Sequence, residues 1–114
     1  MIVLYGISAC DSVEKARAWL DKQGLVYRFH DFRIEGLSGQ ELERWCTQLG
    51  WQRLLNQRST TWRQLPAEIK QNLDQDRAQA LLLEYPTLIK RPVLVFNETM
   101  HLGFNETDYQ KIFA

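Results

Sequence analysis

Histidine, cysteine and proline are scarce in this chain of 114 residues, which has two histidines, two cysteines and three prolines. Cys10 and Cys46 lie far apart in the sequence, a spacing that fits neither a disulfide framework nor the paired ligands of a zinc site. His30 and His101 also stand alone, and without ligand spacing we expect each to be a surface or half-buried strand residue. The sequence therefore predicts no metal site.

An excess of charge and a long apolar segment are absent as well. Fourteen basic and fourteen acidic side chains give a formal net charge of zero, which disfavours direct binding to nucleic acid. The apolar run at residues 2–5 is short, follows no basic segment and leads into a polar helix. It is therefore typical of a first strand and not of a signal peptide or a membrane span. We expect a cytoplasmic protein that makes no membrane contact and forms one domain over residues 1–114.

The amino-terminal part of the chain predicts a βαβ unit. Residues 2–5 form an apolar strand, residues 11–23 show helical periodicity, and residues 25–32 alternate between polar and apolar side chains. A strand, a helix and a second strand in this order place the two strands parallel in one sheet. The inner face of the predicted helix comprises Val13, Ala16, Trp19 and Leu20.

The middle of the chain predicts helices only. Ser38 and Glu41 have the spacing of a capping box, and the apolar stripe that follows them ends at Gly50. Cys46 falls on that stripe, which favours a core side chain over a reactive one. The next segment is rich in helix-forming residues interrupted by prolines, and it indicates two or three further short helices. We therefore predict an all-helical insertion at approximately 38–86 that packs onto the sheet.

The carboxyl-terminal part predicts two strands and a helix. Residues 93–96 and 99–102 are apolar runs on either side of an Asn-Glu turn. Asn105 suits the N-cap position of a last helix. The element order βαβ, helices, ββα predicts an α/β fold with a mixed sheet and the helical insertion. The residues of the last helix that we expect to face inward are Tyr109, Ile112 and Phe113.

Cys10 is the strongest candidate for a reactive group, because it lies between the first strand and the first helix. Unpaired N–H groups and the positive end of the helix dipole stabilise a thiolate at such a position, and the thiolate is the nucleophilic form. The alternative is a small buried side chain without chemistry. Asp11 and Glu14 resemble a capping pair, and their carboxylates would raise the pKa of the thiol, so positive charge must come from elsewhere. The candidate sources of that charge are Arg17, Arg58 and Arg91.

Two of these arginines are also candidates for anion binding. Arg58 lies in a polar loop between helical segments, and Arg91 directly precedes Pro92 and the third predicted strand. Guanidinium groups bind oxyanions and carboxylates through paired hydrogen bonds. Taken singly, each arginine also fits an exposed, solvated surface residue. Pro92 restricts Arg91 to extended backbone, and the sequence leaves the cis or trans isomer of their peptide bond open.

Four segments of the chain match a known family pattern in the same order as in the family. They are residues 2–10 with 15–20, the loop Arg58-Ser-Thr, residues 85–93 and residues 102–106. Together they resemble the arsenate reductase (ArsC) and Spx family, in particular its small YffB-like branch. The resemblance implies a thioredoxin-like sheet with an added helical subdomain. It makes Cys10 the match to the family's reactive cysteine, Arg58 and Arg91 the matches to two anion-binding arginines, and Pro92 the match to the family's cis-proline.

This chain departs from the family pattern at two positions, and each departure disfavours one branch of the family. Members that reduce arsenate have a third arginine near the last strand, where this chain has Phe104. One guanidinium fewer leaves an oxyanion less well neutralised, which disfavours arsenate as the substrate. Spx regulators carry Cys-x-x-Cys, where this chain has Cys10-Asp-Ser-Val13, so no disulfide can form within that motif.

The lone Cys10, the two arginines and the resemblance together predict a glutathione-dependent thiol–disulfide reductase. The thiolate would form a mixed disulfide with an oxidised thiol substrate. Glutathione as co-substrate, or a glutaredoxin-type reductant, would resolve it without a bound cofactor. An Spx-like adaptor that binds RNA polymerase, with Cys10 vestigial, is the first alternative. Arsenate reduction is the second.

Overall fold

In a computed structural model that describes residues 1–114, the chain forms four strands, eight α-helices and one 3₁₀ turn. The strands are β1 (Ile2–Gly6), β2 (Tyr27–Asp31), β3 (Val93–Phe96) and β4 (Thr99–Leu102). The helices are α1 (Asp11–Lys22), α2 (Phe32–Glu35), α3 (Gly39–Leu49), α4 (Trp51–Leu54), α5 (Thr60–Gln64), α6 (Ala67–Lys70), α7 (Gln75–Glu84) and α8 (Glu106–Ile112), with the 3₁₀ turn at Pro86–Leu88. None of the helices combines the length and the apolarity that a membrane span requires.

The four strands form one mixed sheet in the order β2-β1-β3-β4. Strand β1 is parallel to β2, with Gly6 opposite Asp31, and antiparallel to β3, with Tyr5 opposite Val93. Strand β4 pairs with β3 in antiparallel fashion. The predicted α/β fold is confirmed: a βαβ unit and a ββα unit share one thioredoxin-like sheet.

The chain divides into two compact units. The first consists of Met1–Gly36 and Arg91–Ala114 and contains the whole sheet with α1, α2 and α8. The second is Leu37–Lys90 and contains the remaining helices. The helical insertion was predicted at approximately 38–86. That the two units form one domain stays a prediction.

The core of the first unit lies between the sheet and helices α1 and α8. The predicted inner face of α1 is buried in full, and α8 adds Tyr109, whose ring meets that of Trp19 edge-on at 5.6 Å. Aromatic pairs in this geometry contribute about 0.5–1.5 kcal/mol beyond the burial of their area. The buried residues of this core are Ile2, Leu4, Ala16, Trp19, Leu20, Leu94 and Tyr109, with Ile112 and Phe113 packed against them.

The second unit confirms the predicted N-cap at Ser38 and its contact with Glu41. The backbone N–H of Glu41 donates to the Ser38 hydroxyl over 3.1 Å, and α3 buries its apolar stripe, Cys46 included. Four helices and the 3₁₀ turn follow, so the prediction of two or three further helices was wrong. Local caps begin two of these helices. Ser59 accepts from the N–H of Trp62 at the start of α5, and Asp74 accepts from the N–H of Arg77 at the start of α7.

Two further corrections concern the end of β2. The strand ends at Asp31, whose carboxylate accepts from the N–H of Arg33 over 2.8 Å and begins α2, a helix that we did not predict. His30 was expected at the surface or half-buried, but it is only 9% exposed, with Nε2 hydrogen-bonded to the carbonyl of Gly36. His101 is half-buried, as predicted.

Gly6 allows β1 to approach α1 closely, since a Cβ at this position would lie 2.6 Å from Cγ2 of the buried Val13. We predict that Gly6→Ala lowers the free energy of unfolding by roughly 1–3 kcal/mol, the usual effect of overpacking. Gly39→Ala is the matched control, because a methyl group at this position would meet nothing within 4 Å and the residue begins a helix. Urea unfolding measures both variants, and an unchanged midpoint for Gly6→Ala would contradict the close approach.

Candidate active site

The loop between β1 and α1 places Cys10 at the N-cap of the helix. The Cys10 N–H donates to the carbonyl of Ile7 over 3.3 Å and closes a turn, and the Cys10 carbonyl accepts from the N–H of Glu14 over 2.9 Å. Backbone angles of φ −109° and ψ 126° are extended, as at an N-cap. The predicted capping role of Asp11 was therefore wrong, because Asp11 is the first residue inside the helix. The sulfur sits at the helix end itself.

The surroundings of Cys10 favour its thiolate. Burial raises the pKa of the thiol, but the backbone N–H of Val13, the Arg91 guanidinium and the backbone N–H of Ser12 together lower it, and the net pKa lies below the ordinary value. Arg91 acts both as a hydrogen-bond donor and through its charge. Helix-end amides and a neighbouring cation are the two usual means of activating a thiol.

The expected opposition from the acidic side chains of the first turn does not prevail. Asp11 and Glu14 both lie in the first turn of α1, yet both are exposed and neither is among the largest causes of the pKa shift of Cys10. Water screens the charge of exposed carboxylates, whereas the partly buried arginine acts at short range. The thiolate is therefore stabilised in spite of its acidic neighbours in sequence.

Sheet register explains how Arg91 reaches Cys10. Val93 begins β3 opposite Tyr5 of β1, so the residues just before Val93 lie at the carboxyl end of β1, where the Cys10 loop begins. The Arg91–Pro92 peptide bond is cis. Pro92 itself is buried, and its carbonyl accepts from the N–H of Gly103 over 2.8 Å.

Of the other two candidate arginines, Arg17 lies on α1 and Arg58 belongs to the second unit. The Arg17 guanidinium stacks 4.3 Å from the centre of the Phe29 ring, and its Nε donates to the Tyr27 hydroxyl over 3.3 Å, so its contacts are with β2. It is not among the largest causes of the pKa shift of Cys10. Arg58 is exposed, and its own backbone N–H donates to the side-chain oxygen of Asn56. A role for Arg58 at Cys10 stays a prediction.

Asp31 is a polar group near this loop that the sequence pattern did not single out. It is the last residue of β2 and only 4% exposed, and its carboxylate accepts from the backbone N–H of Ser8 over 3.2 Å. A charged residue at the carboxyl end of a strand next to the reactive loop was the available signal. It was overlooked because the strand was expected to continue to residue 32.

The two cysteines should differ sharply in reactivity. Cys46 is 2% exposed and burial raises its pKa, whereas Cys10 is half-buried with a lowered pKa. We predict that iodoacetamide at neutral pH labels one thiol per folded molecule, Cys10, and two after denaturation. Peptide mass spectrometry identifies the site, and rapid labelling of Cys46 in the folded protein would contradict the structure.

No group of three or more histidine, cysteine, aspartate or glutamate side chains is arranged to hold a metal ion. The helix-end amides and Arg91 are the groups that stabilise the Cys10 thiolate.

Comparison with known proteins identifies the family. The model of the ArsC family matches residues 5–112. The chain belongs to the ArsC family. Among its family relatives, a YffB protein of known structure is 43% identical over the full length of both chains, with a TM-score of 0.96. An uncharacterized protein of Haemophilus influenzae is 46% identical over the whole of both sequences. The global transcriptional regulator Spx of Streptococcus mutans is 30% identical over 95% of this chain and 80% of its own.

Proposed function

We propose that this ArsC-family protein is a glutathione-dependent thiol–disulfide reductase with Cys10 as its nucleophile. The observation that carries the proposal is the position of a half-buried cysteine at a helix N-cap beside Arg91, a setting that lowers the pKa of its thiol. A thiol so placed is ionised in a larger fraction at neutral pH than a free cysteine, and the thiolate is the attacking species in disulfide exchange.

The proposed reaction has two exchange steps. The Cys10 thiolate attacks the glutathione sulfur of a mixed disulfide R–S–S–G, a Cys10–S–S–G bond forms, and the substrate leaves as the thiolate RS⁻. A second glutathione thiolate then attacks the glutathione sulfur of that bond, which releases oxidised glutathione and regenerates the Cys10 thiolate. In sum, R–S–S–G and one free glutathione become RSH and oxidised glutathione, so the disulfide bond passes from the substrate to glutathione and one free glutathione is consumed per turnover. No second cysteine is needed, which agrees with valine at position 13.

Arg91 has two parts in this proposal. Its guanidinium stabilises the attacking thiolate before the first step and the leaving Cys10 thiolate after the second. Glutathione carries two carboxylates, which suit the planar, paired donors of a guanidinium. Arg58 is proposed as a second carboxylate anchor, on the strength of its match to the family pattern.

The test uses the mixed disulfide of glutathione and 2-mercaptoethanol as substrate, with glutathione, glutathione reductase and NADPH. We expect protein-dependent NADPH oxidation and, after incubation with oxidised glutathione, a glutathione adduct on Cys10 in the peptide map. A glutaredoxin added in place of excess glutathione tests the other reductant. Absence of both turnover and adduct would remove the proposal.

A second candidate function is that of a regulator or adaptor that binds RNA polymerase, and the similarity to the Spx regulator of Streptococcus mutans favours it. A pull-down of purified RNA polymerase by the tagged protein separates the two. Binding that survives Cys10→Ser, together with a cellular phenotype that also survives it, supports the adaptor. A phenotype lost with Cys10→Ser supports the reductase.

Arsenate reduction ranks third. The position that matches the third arginine of arsenate-reducing members is Phe104, whose ring packs edge-on against Tyr109 with 4.9 Å between centres. An apolar ring contributes no charge to an oxyanion. Arsenate-dependent NADPH oxidation with glutathione and glutaredoxin present tests this candidate, and no turnover is expected.

A further inference from the structure

Asp31 occupies an unusual place for a carboxylate. It ends β2 opposite Gly6, the last residue of β1, so its side chain lies at the sheet edge from which the Cys10 loop departs. It is only 4% exposed. A buried carboxylate is costly in free energy unless its oxygens are hydrogen-bonded, so Asp31 needs partners for both of them.

Both oxygens of this carboxylate are occupied by backbone groups. Oδ1 accepts from the N–H of Arg33 over 2.8 Å and caps α2, while Oδ2 accepts from the N–H of Ser8 over 3.2 Å. The Ser8 side chain also contributes to lowering the pKa of the carboxylate. Burial raises the pKa of Asp31, but these donors lower it further, so the group is held ionised. One side chain thus joins the end of β2 to the loop that carries Cys10.

The bond to Ser8 lies within the turn that ends at Cys10. The N–H of Cys10 donates to the carbonyl of Ile7, so Ser8 and Ala9 are the two central residues of that turn. Neither has a positive φ, which fits an ordinary type I turn. A carboxylate that fixes the N–H of Ser8 fixes the orientation of the turn, and Cys10 follows directly from it.

We propose that Asp31 is a positioning residue for Cys10, holding the Ile7–Cys10 turn through Ser8 so that the sulfur meets the helix-end amides and Arg91. This inference rests on the proposed function of Cys10 as the nucleophile. The contact of the carboxylate with the Cys10 loop is its hydrogen bond to the backbone N–H of Ser8, so we infer that it acts through the backbone. Capping of a four-residue helix alone does not require a charge, because asparagine and serine cap equally well.

Two variants remove the bond from either side. Asp31→Asn keeps an oxygen to cap α2 but turns an NH₂ group toward the N–H of Ser8. Two donors then face each other, and the hydrogen bond to Ser8 is lost. Ser8→Pro removes the donor and leaves the carboxylate in place, and proline suits the second position of a type I turn. Asn105→Ala is the matched control for a lost helix cap in the same unit, since Asn105 accepts from the N–H of Asp108 at the start of α8.

The readout is the pH profile of Cys10 alkylation by iodoacetamide, with the thermal midpoint recorded beside it. Asp31→Asn and Ser8→Pro should each slow alkylation at pH 7 by roughly threefold to tenfold, the equivalent of one hydrogen bond, and move the profile to higher pH. The double variant should lose no more than the stronger single one, because both remove the same bond. Asn105→Ala should lower the thermal midpoint and leave the profile unchanged.

Either of two results would overturn the proposal. Asp31→Asn with a lower thermal midpoint and an unchanged profile would make Asp31 a cap and nothing more. A profile moved to lower pH would mean that the carboxylate acts by repelling the thiolate. Should Asp31→Asn fail to fold, Ser8→Pro decides by itself. Alkylation needs no glutathione, so these results stand apart from the turnover assay that tests the proposed function.

Discussion

Cys10→Ser is expected to lower glutathione-dependent disulfide reduction by on the order of 10³-fold or more, since a hydroxyl without an adjacent base is not a nucleophile at neutral pH. The variant should keep its stability or gain some, because serine is one of the preferred N-cap residues and Cys10 occupies the N-cap of α1. The coupled NADPH assay and a thermal melt measure the two effects.

Cys46→Ser is the matched control, and it should show the reverse pattern. Cys46 is 2% exposed within the apolar face of α3, so a serine there buries a hydroxyl and costs roughly 1–3 kcal/mol of unfolding free energy. Turnover per folded molecule should stay at the wild-type level. Turnover retained by Cys10→Ser would contradict the role of the sulfur.

Arg91→Leu is expected to make Cys10 a poorer nucleophile without moving it. The variant removes a hydrogen bond and a positive charge that both lower the pKa of the thiol. Because the thiolate is less stabilised in this variant, the pKa of Cys10 rises and its thiolate fraction at pH 7 falls. Alkylation at pH 7 should slow by roughly threefold to tenfold, and the difference should vanish at high pH, where both proteins are fully ionised.

Arg17→Leu serves as the control for the loss of a guanidinium, because Arg17 contacts Phe29 and Tyr27 and is not among the largest causes of the pKa shift of Cys10. Its alkylation profile should coincide with that of the wild type. The alkylation profile of Arg91→Lys should lie between those of the wild type and Arg91→Leu, since lysine keeps the charge and loses the paired donors. Equal profiles for Arg91→Leu and Arg17→Leu would mean that Arg91 does not activate the thiol.

Elements set by local rules could be predicted from the sequence. The caps at Ser38 and Asn105, the buried face of α1 and the hairpin of β3 and β4 all depend on spacing within a few residues, and each was predicted correctly. The cap of α1 was not, because aspartate is the commoner N-cap residue and was preferred to its neighbour, Cys10. Helix α2 was missed because only four residues form it, too few for a visible period.

The site depends on contacts between distant parts of the chain, and these could be predicted only in part. Arg17, Arg58 and Arg91 were candidates for the charge at Cys10, and the register of β3 against β1 brings Arg91 to it. Arg17 is nearest to Cys10 in sequence, yet its guanidinium stacks on Phe29 of β2. The contribution of Asp31 likewise depends on the parallel pairing of β2 with β1.

Direct titration of the Cys10 thiol is the measurement closest to the proposed chemistry. Thiolate absorbance or alkylation rate, followed from pH 4 to 10 in Cys46→Ala protein, gives the pKa of this one group. The surroundings of Cys10 predict a midpoint below the ordinary value of a free cysteine, because helix-end amides and Arg91 outweigh burial. A midpoint at or above that value would contradict an activated sulfur and, with it, the reductase.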